Sequence, residues 1–253
     1  MSNLRRVGAW FYRGLLGQHP HNTFLSFNWH NVRHIRRFLE AQGQQLESGP
    51  YVVADIGGGK CPYYPYLADL AREFICVDLR ENLPPDDGRP IRKVPGTGER
   101  IPLADDSVDI VLCNQVLEHV IDPHVSCREM HRILRKDGMF IGSVPHASPV
   151  HLEPHDFRRF TDLGIIQLLE NTGFDSISVE GNGGVFSAVA LLINMDLLLT
   201  KREPGKAQNF KHKTAFILCP LVGCINLAGM LLDRVTGDRN RTPANLCWAA
   251  RKA

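Results

Sequence analysis

The chain has 253 residues, enough for one large domain or two small ones with a substantial core. Hydrophobic residues make up 43% and charged residues 22%, which are ordinary globular values and exclude extensive disorder. The formal net charge of +2 is too small to indicate a nucleic-acid-binding protein, and the seven cysteines show neither CxxC pairs nor zinc-site spacing.

Residues 1–50 are predicted to form an N-terminal helical cap. Between Phe27 and Leu46 the apolar residues recur at three- and four-residue spacing, and Gly49-Pro50 then interrupts the pattern. The first twenty residues are too broken in hydrophobicity for a secretory signal, and several cysteines lie inside apolar runs, as buried thiols do. We therefore expect a cytoplasmic protein.

From Tyr51 onwards, short apolar runs alternate with helical stretches. The sequence predicts strands at 51–56, 73–79, 91–94, 108–115, 139–145, 173–181 and 245–252, and helices at 63–73, 123–135 and 163–171. Alternation of this kind is typical of βαβ units, whose parallel strands form one sheet with helices on both faces. The prediction is an α/β fold with its core at residues 51–184 and a C-terminal region at 185–253.

A glycine-rich turn follows the first predicted strand. VVADIGGG (52–59) places three glycines after Asp55, where ligands of open parallel sheets bind and where glycine lets the backbone approach them closely. Asp78 ends the second strand, and a carboxylate there can accept hydrogen bonds from ribose hydroxyls. The nicotinamide fingerprint GxGxxG fits poorly because Pro62 replaces its third glycine. A turn without any ligand is the alternative.

Further motifs resemble the class I S-adenosylmethionine-dependent methyltransferases of the type 11 branch. DIGGG (55–59) and VDL (77–79) are similar to the first two motifs of that family. GTGERIPLADDSVDIVLCNQVLEHVIDP (96–123) resembles the third and fourth, and RILRKDGMFIGSVP (132–145) the helix, turn and strand that follow. The resemblance implies a Rossmann-like seven-stranded mixed sheet with the last strand reversed. The family normally returns quickly from strand six to strand seven, whereas residues 185–232 intervene here, and we expect them to form extra apolar helices.

The resemblance also implies S-adenosylmethionine as the cofactor. The residues it assigns to cofactor binding are Asp55, Gly57, Gly58, Gly59, Asp78, Leu79, Glu99, Arg100, Asn114 and Gln115. The first motif would hold the methionine end, the second the ribose and the third the adenine, with the last two residues lining the floor. Thr97 stands where the family often has an acid for the adenine amino group, which weakens that expected contact.

A polar loop after the fifth strand supplies acceptor-side candidates. PHASPVHLEPHDFRRFT (145–161) contains three histidines, and histidine can take a proton from a hydroxyl near neutral pH. The catalytic prediction is His155 with Asp156 as base or acceptor-orienting pair, and Arg158 as a residue that could hold an anionic acceptor. Exposed or capping roles are the alternative for these residues.

LEHV (117–120) resembles a stretch of the ubiquinone-pathway O-methyltransferases in which acids and a histidine bind a divalent metal. Glu118 and His119 are present, but Gln115 replaces the earlier acid, and a neutral amide is a poorer ligand for a hard cation. We therefore predict that no metal is bound there.

Residues 185–232 contain two apolar segments, 185–200 and 214–232, joined by a basic link, KREPGKAQNFKHK. Three interpretations remain open: burial in the core or in a homo-oligomer interface, a hairpin on a membrane surface, and a membrane-spanning helix. Pro220, Gly223, Asn226 and Gly229 interrupt the longer segment and disfavour spanning. Peripheral membrane association is thus one of the expectations for this region.

The function predicted is methyl transfer from S-adenosylmethionine to a small-molecule, hydrophobic or lipid-like acceptor, on oxygen rather than nitrogen. A non-catalytic cofactor-binding protein of the same fold is one alternative, because fold alone does not establish activity. A nucleic-acid methyltransferase is another. It is disfavoured because NQVL (114–117) differs from the NPPY-type motif that grips a flipped base, and no nucleic-acid partner is expected.

Overall fold

A computed structural model describes residues 22–46, 49–199, 212–236 and 242–253, with side chains of the last helix described from Ile217. The first part of the predicted cap (1–21) and most of the basic link (201–211) lie outside the described residues. The helices are α1 (Trp29–Gln45), α2 (Pro123–Ile133), α3 (Asp162–Glu170), α4 (Val185–Leu198) and α5 (His212–Thr236). The strands are β1 (Tyr51–Ile56), β2 (Ala71–Asp78), β3 (Ile91–Pro95), β4 (Val108–Asn114), β5 (Leu134–Pro145), β6 (Phe174–Gly181) and β7 (Asn245–Lys252).

The chain divides into two compact units that do not follow chain order. One unit comprises residues 35–145, 157–180 and 246–253, and the other comprises 1–34, 146–156 and 181–245. The first is called the sheet unit below, and the second the helical unit. The division predicted from the sequence, into a cap (1–50), a core (51–184) and a C-terminal region (185–253), stays a prediction.

The seven strands form one sheet in the order β3-β2-β1-β4-β5-β7-β6. Strands β1 to β5 pair in parallel. β7 runs in the opposite direction. The evidence is that the last residue of β7, Lys252, lies beside the first residue of β5: Lys252 Nζ donates to Leu134 O at 2.7 Å. The predicted Rossmann-like mixed sheet is therefore confirmed, including the reversal of its last strand.

Other segments cover both faces of the sheet. Successive side chains of a strand point to opposite faces, so a strand that is apolar throughout needs cover on both. On one face, Ala54 and Val111 belong to a core that also includes Met130 of α2 and Leu169 of α3. On the other face, Val53 and its neighbours pack with Leu39 of α1 and with Leu67. Helices on both faces were predicted, and the structure confirms them.

The helix predicted at 63–73 is replaced by two short 3₁₀ helices, Tyr64–Tyr66 and Ala68–Leu70, and β2 begins earlier than expected at Ala71. The apolar spacing of this stretch is typical of an α-helix, but the chain forms only single 3₁₀ turns there.

The helical unit contains α4 and α5 packed as an antiparallel pair. Asp233 near the end of α5 accepts hydrogen bonds at the start of α4, from the backbone N of Gly184, Phe186 and Ser187 at 2.8–3.0 Å. Within the described part of the chain, Ile217–Thr236 is the one helix whose length and composition suffice to cross a membrane. Only 28% of this apolar segment is buried, so α5 is not a helix of the buried core of this chain.

Gly142 in β5 marks a close approach that the sheet requires. A Cβ atom there would lie 2.1 Å from Trp248 Cζ2 and 2.6 Å from Cys113 O. Trp248 is fully buried, so it has little room to move aside.

We predict that Gly142→Ala lowers the free energy of unfolding by about 1–3 kcal/mol, the usual cost of overpacking a core. The matched control is Gly43→Ala in α1, where the added Cβ would make ordinary contacts of 3.5–3.8 Å and helix propensity favours alanine. Urea denaturation of the intact chain measures both. Equal stability of the two variants would contradict the packing argument.

Candidate active site

The candidate site lies at the carboxyl ends of three neighbouring strands. β1 is flanked by β2 and β4, and the strand order reverses direction along the chain between β1 and β4. In such sheets the crevice at this switch point is where ligands bind. Asp55 in β1 is level with Cys76 and Leu112, so Asp78 and Asn114 extend beyond it on either side.

The three glycines after β1 have different roles. Gly57 and Gly59 have φ of +68° and +52°, a region that favours glycine. A Cβ at Gly57 would lie 2.5 Å from Val116 Cγ2, and one at Gly58 would lie 2.7 Å from the Asp55 carboxyl. At Gly59 the nearest atom to an added Cβ, Asp78 Oδ2, is 3.9 Å away. The first two glycines therefore permit packing, whereas Gly59 leaves open space beside Asp78.

Asp78 holds the glycine turn in place. Its Oδ2 accepts a hydrogen bond from Gly59 N at 2.7 Å, and its Oδ1 accepts from Leu79 N at 2.7 Å and Asn82 Nδ2 at 3.0 Å. An ionised carboxylate offers about four acceptor positions, so these three bonds leave capacity for a further donor. The Leu79 side chain is exposed at the same edge.

Asp55 is buried beneath this turn. No hydrogen-bond partner for its Oδ2 exists among the described residues. Burial, and next the negative charge of Asp78, raises the pKa of Asp55 to about 7. A buried carboxylate oxygen without a partner is costly, and a cationic group of a ligand would relieve that cost.

The end of β4 carries a second polar group without a partner. Asn114 Oδ1 accepts from Ser143 Oγ at 2.9 Å, but the buried Asn114 Nδ2 has no acceptor in the described structure. Gln115 follows with φ +58°, an uncommon conformation for a non-glycine residue, and its Nε2 donates to Ser143 Oγ at 3.2 Å. Sequence reasoning missed Ser143, whose only signal was a polar residue within an apolar strand.

The segment predicted to lie beside the adenine forms a tight turn. Gly96 N donates to Asp78 O at 3.0 Å, which places the turn next to the end of β2. Glu99 Oε1 accepts from Asp122 N at 2.9 Å and thereby fastens the turn to the start of α2, while Arg100 is exposed. The predicted adenine contacts of Glu99 and Arg100 stay a prediction.

The predicted catalytic residues are distributed over both units. In the helical unit, Asp156 contacts His151. Asp156 Oδ2 accepts from His151 N at 2.8 Å and lies 3.3 Å from His151 Nδ1. The Asp156 side chain is fully buried, whereas His155 is exposed. The His151 pairing was not predicted, because the two residues are five positions apart on an irregular loop.

In the sheet unit, Arg158 binds backbone carbonyls. Its Nη1 donates to Val120 O and its Nη2 donates to Ile121 O at 2.9 Å, while the neighbouring Phe157 N donates to Glu118 O at 2.9 Å. Arg158 therefore positions the segment that follows β4.

The same segment carries the LEHV motif. Glu118 is fully buried, and His119 Nε2 lies 3.7 Å from Glu118 Oε1. Tyr63, a buried residue that sequence reasoning missed, lies close enough to Asp55 and Glu118 for their charges to raise its pKa, after burial as the main cause.

Comparisons with known proteins agree with this geometry. Residues 54–142 match the family model described as a methyltransferase domain. A Mycolicibacterium smegmatis protein named as an S-adenosylmethionine-dependent methyltransferase is 33% identical over 153 residues, covering 55% of this chain and 56% of the relative. Residues 54–142 form a class I S-adenosylmethionine-dependent methyltransferase domain of the type 11 branch.

Solved structures support the fold of this methyltransferase domain. The chain resembles the [4+2]-cyclase SpnF with a TM-score of 0.55 at 14% identity, covering 86% of this chain and 80% of that one. It also resembles the 1,6-didemethyltoxoflavin-N1-methyltransferase of Burkholderia thailandensis, solved with bound S-adenosylhomocysteine, with a TM-score of 0.54 at 17% identity and coverage of 100% and 92%.

The chain spans about half the length of the curated relatives it matches, 56% of the first and 41% of YcgJ from Bacillus subtilis.

S-adenosylmethionine, the cofactor of this family, fits the residues present. The unpaired Oδ2 of Asp55 suits the ammonium group of its methionine part, and the remaining acceptor capacity of Asp78 suits ribose hydroxyls. The unpaired Nδ2 of Asn114 is a donor that could meet a carboxylate. A cation, a diol and an anion in one ligand would thus satisfy groups that the protein leaves unsatisfied.

Gly59 offers a test of the open space beside Asp78. We predict that Gly59→Ala weakens binding of S-adenosylhomocysteine at least about tenfold, because the methyl group would occupy that space. Gly88→Ala is the matched control, since Gly88 also has positive φ (+86°) but no atom within 4 Å of an added Cβ.

Backbone strain should lower the free energy of unfolding of both variants by about 1 kcal/mol, so we expect the two to have the same melting temperature. A difference in ligand affinity between them then reports the contact with the ligand and not the strain. Titration calorimetry measures the affinity. Wild-type affinity in Gly59→Ala would contradict the assignment of this space to the ligand.

Asp55→Asn should separate stability from binding. The folded protein raises the pKa of Asp55 from 3.8 to about 7, so its stability falls as pH rises from 4 to 7, and the cost persists above pH 7. Removing the charge should therefore raise the melting temperature at pH 8 by at least about 2 °C. The gain should shrink towards pH 4, while S-adenosylhomocysteine binding is lost.

Asp69→Asn, on an exposed residue of the sheet unit, is the matched control and should change neither quantity. Calorimetric melting across this pH range, with and without S-adenosylhomocysteine, tests the prediction. A variant that still binds S-adenosylhomocysteine would disprove the role of Asp55.

Proposed function

We propose that the chain transfers a methyl group from S-adenosylmethionine to an oxygen atom of a small, hydrophobic acceptor. The observation that carries the proposal is the buried, unpaired carboxylate oxygen of Asp55 beneath the glycine turn. That arrangement costs stability unless a cationic ligand occupies the site. Bound S-adenosylmethionine supplies an electrophilic methyl group on a sulfonium, and the protein's part is then to place the acceptor in line with it.

Two pairs of side chains could accept the proton of an acceptor hydroxyl. Glu118 and His119 lie on the segment after β4, which Arg158 holds by its bonds to Val120 O and Ile121 O. Asp156 Oδ2 lies 3.3 Å from His151 Nδ1, where it can orient that imidazole, and Asp156 is adjacent to His155 in the sequence. We retain His155 with Asp156 as the predicted pair and add His151 as a second candidate.

Exposed apolar side chains support an apolar acceptor. Ile121 and Phe157 are both exposed, and each lies on a segment that the Glu118 and Arg158 bonds tie together in the sheet unit. Exposed large apolar residues grouped beside a polar site are typical of a binding surface for an apolar molecule. The preference for oxygen over nitrogen rests on Glu118 and His119, proton-accepting side chains on the same segment as Ile121.

A protein of this fold that does not transfer methyl groups is the second candidate. The similarity to a structure named as a [4+2]-cyclase favours keeping it, because the same fold carries another reaction there. Cofactor binding alone would not distinguish the two candidates. Formation of a methylated product would.

We expect the chain, given S-adenosylmethionine with an isotopically labelled methyl group and an organic extract of cells, to label an apolar product on oxygen. Mass spectrometry of the extract measures the label. Asp55→Asn should give no product, and of His151→Gln and His155→Gln the variant that removes the base should lose at least about 100-fold in rate.

The control is His124→Gln, which changes an exposed histidine on α2 and should leave the rate unchanged. If S-adenosylhomocysteine binds but no extract yields a labelled product, the non-catalytic candidate is favoured.

A further inference from the structure

The helix pair α4–α5 buries its polar side chains Asn194, Asn226 and Asp233 and exposes large apolar side chains. On α5, the buried residues include Val222, Asn226 and Asp233, which are spaced as one helical face. Asn226 Nδ2 donates to Phe24 O at 2.8 Å and Ser26 O at 2.9 Å, and its Oδ1 accepts from Asn194 Nδ2 of α4 at 2.9 Å. The polar side chains of α5 thus bind the protein.

The opposite face of α5 is apolar and exposed. Ile217 and Val235, eighteen residues apart, are 74% and 85% exposed. Ten of the sixteen exposed large apolar side chains of the described chain lie on these two helices, four on α4 and six on α5. They are Val185, Val189, Leu192, Ile193, Ile217, Leu221, Leu227, Leu231, Leu232 and Val235, and we call them the outer apolar surface.

Helix geometry places both parts of this surface on one side of the pair. The helices approach closely where Gly229 meets Ala190, whose Cβ would lie 3.0 Å from a Cβ added at Gly229. At about 100° per residue, the mean direction of the exposed side chains of each helix lies roughly 110–120° from that contact, in the same rotational sense. In an antiparallel pair this sense brings the two exposed faces together. The outer apolar surface is therefore continuous.

We infer that the outer apolar surface binds the surface of an anionic lipid bilayer, with α4 and α5 lying in the plane of the membrane. An exposed apolar patch of this extent marks an interaction site, and helices with one apolar face lie in the interface between headgroups and acyl chains. The inference does not depend on methyl transfer, because it concerns the helical unit alone.

Charge favours an anionic lipid surface as the occupant. The basic link, residues 201–213, follows α4 and includes the first two residues of α5, and it contains five lysines and arginines and one glutamate. Basic side chains that flank an apolar helix add attraction to anionic headgroups. Asp196 on α4 is the one exposed acid in the described parts of α4 and α5. Its negative charge opposes this attraction.

A spanning orientation of α5 does not agree with its contacts. To cross a bilayer, the helix would have to expose Asn226 and Asp233 to hydrocarbon or give up the bonds that hold residues 24–26 and the start of α4. An orientation in the plane of the membrane keeps all of these bonds.

Flotation with vesicles tests the inference on the full chain. We expect binding to phosphatidylcholine vesicles that contain phosphatidylglycerol, with weaker binding to phosphatidylcholine alone and at high salt. The double variant Ile217→Ser, Val235→Ser should reduce binding at least about tenfold, because it removes two exposed apolar side chains from the surface. Asp196→Asn should strengthen binding to the anionic vesicles.

The matched control is Leu163→Ser, which removes an apolar side chain that is 73% exposed on α3 in the sheet unit. It should leave vesicle binding unchanged. Melting temperature and S-adenosylhomocysteine binding establish that each variant is folded.

Absence of vesicle binding by the wild-type chain would overturn the inference, as would unchanged binding of the double variant. Light scattering without vesicles examines a second copy of the chain as the occupant. A wild-type dimer that the double variant converts to monomers would assign the outer apolar surface to self-association and overturn the lipid assignment.

Discussion

The buried carboxylate of Asp55 is the constraint on which the site depends. It lies in β1, between β2 and β4, with one oxygen unpaired among the described residues, and its pKa is raised to about 7. The glycines above it leave no side chain to shield or pair it, and Asp78 adds a second negative charge nearby. Such a group lowers the stability of the isolated chain, which supports the proposal that a ligand with positive charge binds there.

Each unit places side chains in an unfavourable environment: polar atoms are buried in the sheet unit, and apolar side chains are exposed in the helical unit. In the sheet unit, polar atoms of Asp55 and Asn114 are buried without partners among the described residues. In the helical unit, apolar side chains of α5 are exposed while its Asn226 and Asp233 are buried and bonded. Each arrangement costs free energy in the isolated chain, and a partner of complementary chemistry would relieve it. Both proposals therefore rest on unsatisfied groups and not on the fold.

Prediction from sequence worked where local pattern and tertiary environment agree. Strands such as Val52–Ile56 are apolar because both faces are covered, and the glycine turn follows because its dihedral angles require glycine. The helix predicted at 63–73 was wrong, because β2 already begins at Ala71 and the residues before it form two separate 3₁₀ turns. The contact between Asp156 and His151 could not be predicted, since irregular loops have no periodicity that specifies neighbours.

The sequence by itself determined the order of the elements, the family of residues 54–142 and the positions of Asp55, Asp78 and Asn114 at strand ends, because these follow from periodicity and short motifs. Only the tertiary structure decided which polar atoms lack partners and which face of α5 is exposed. A hydrophobic sequence does not specify burial: that depends on which other segments cover it, and such contacts join residues as distant as Phe24 and Asn226.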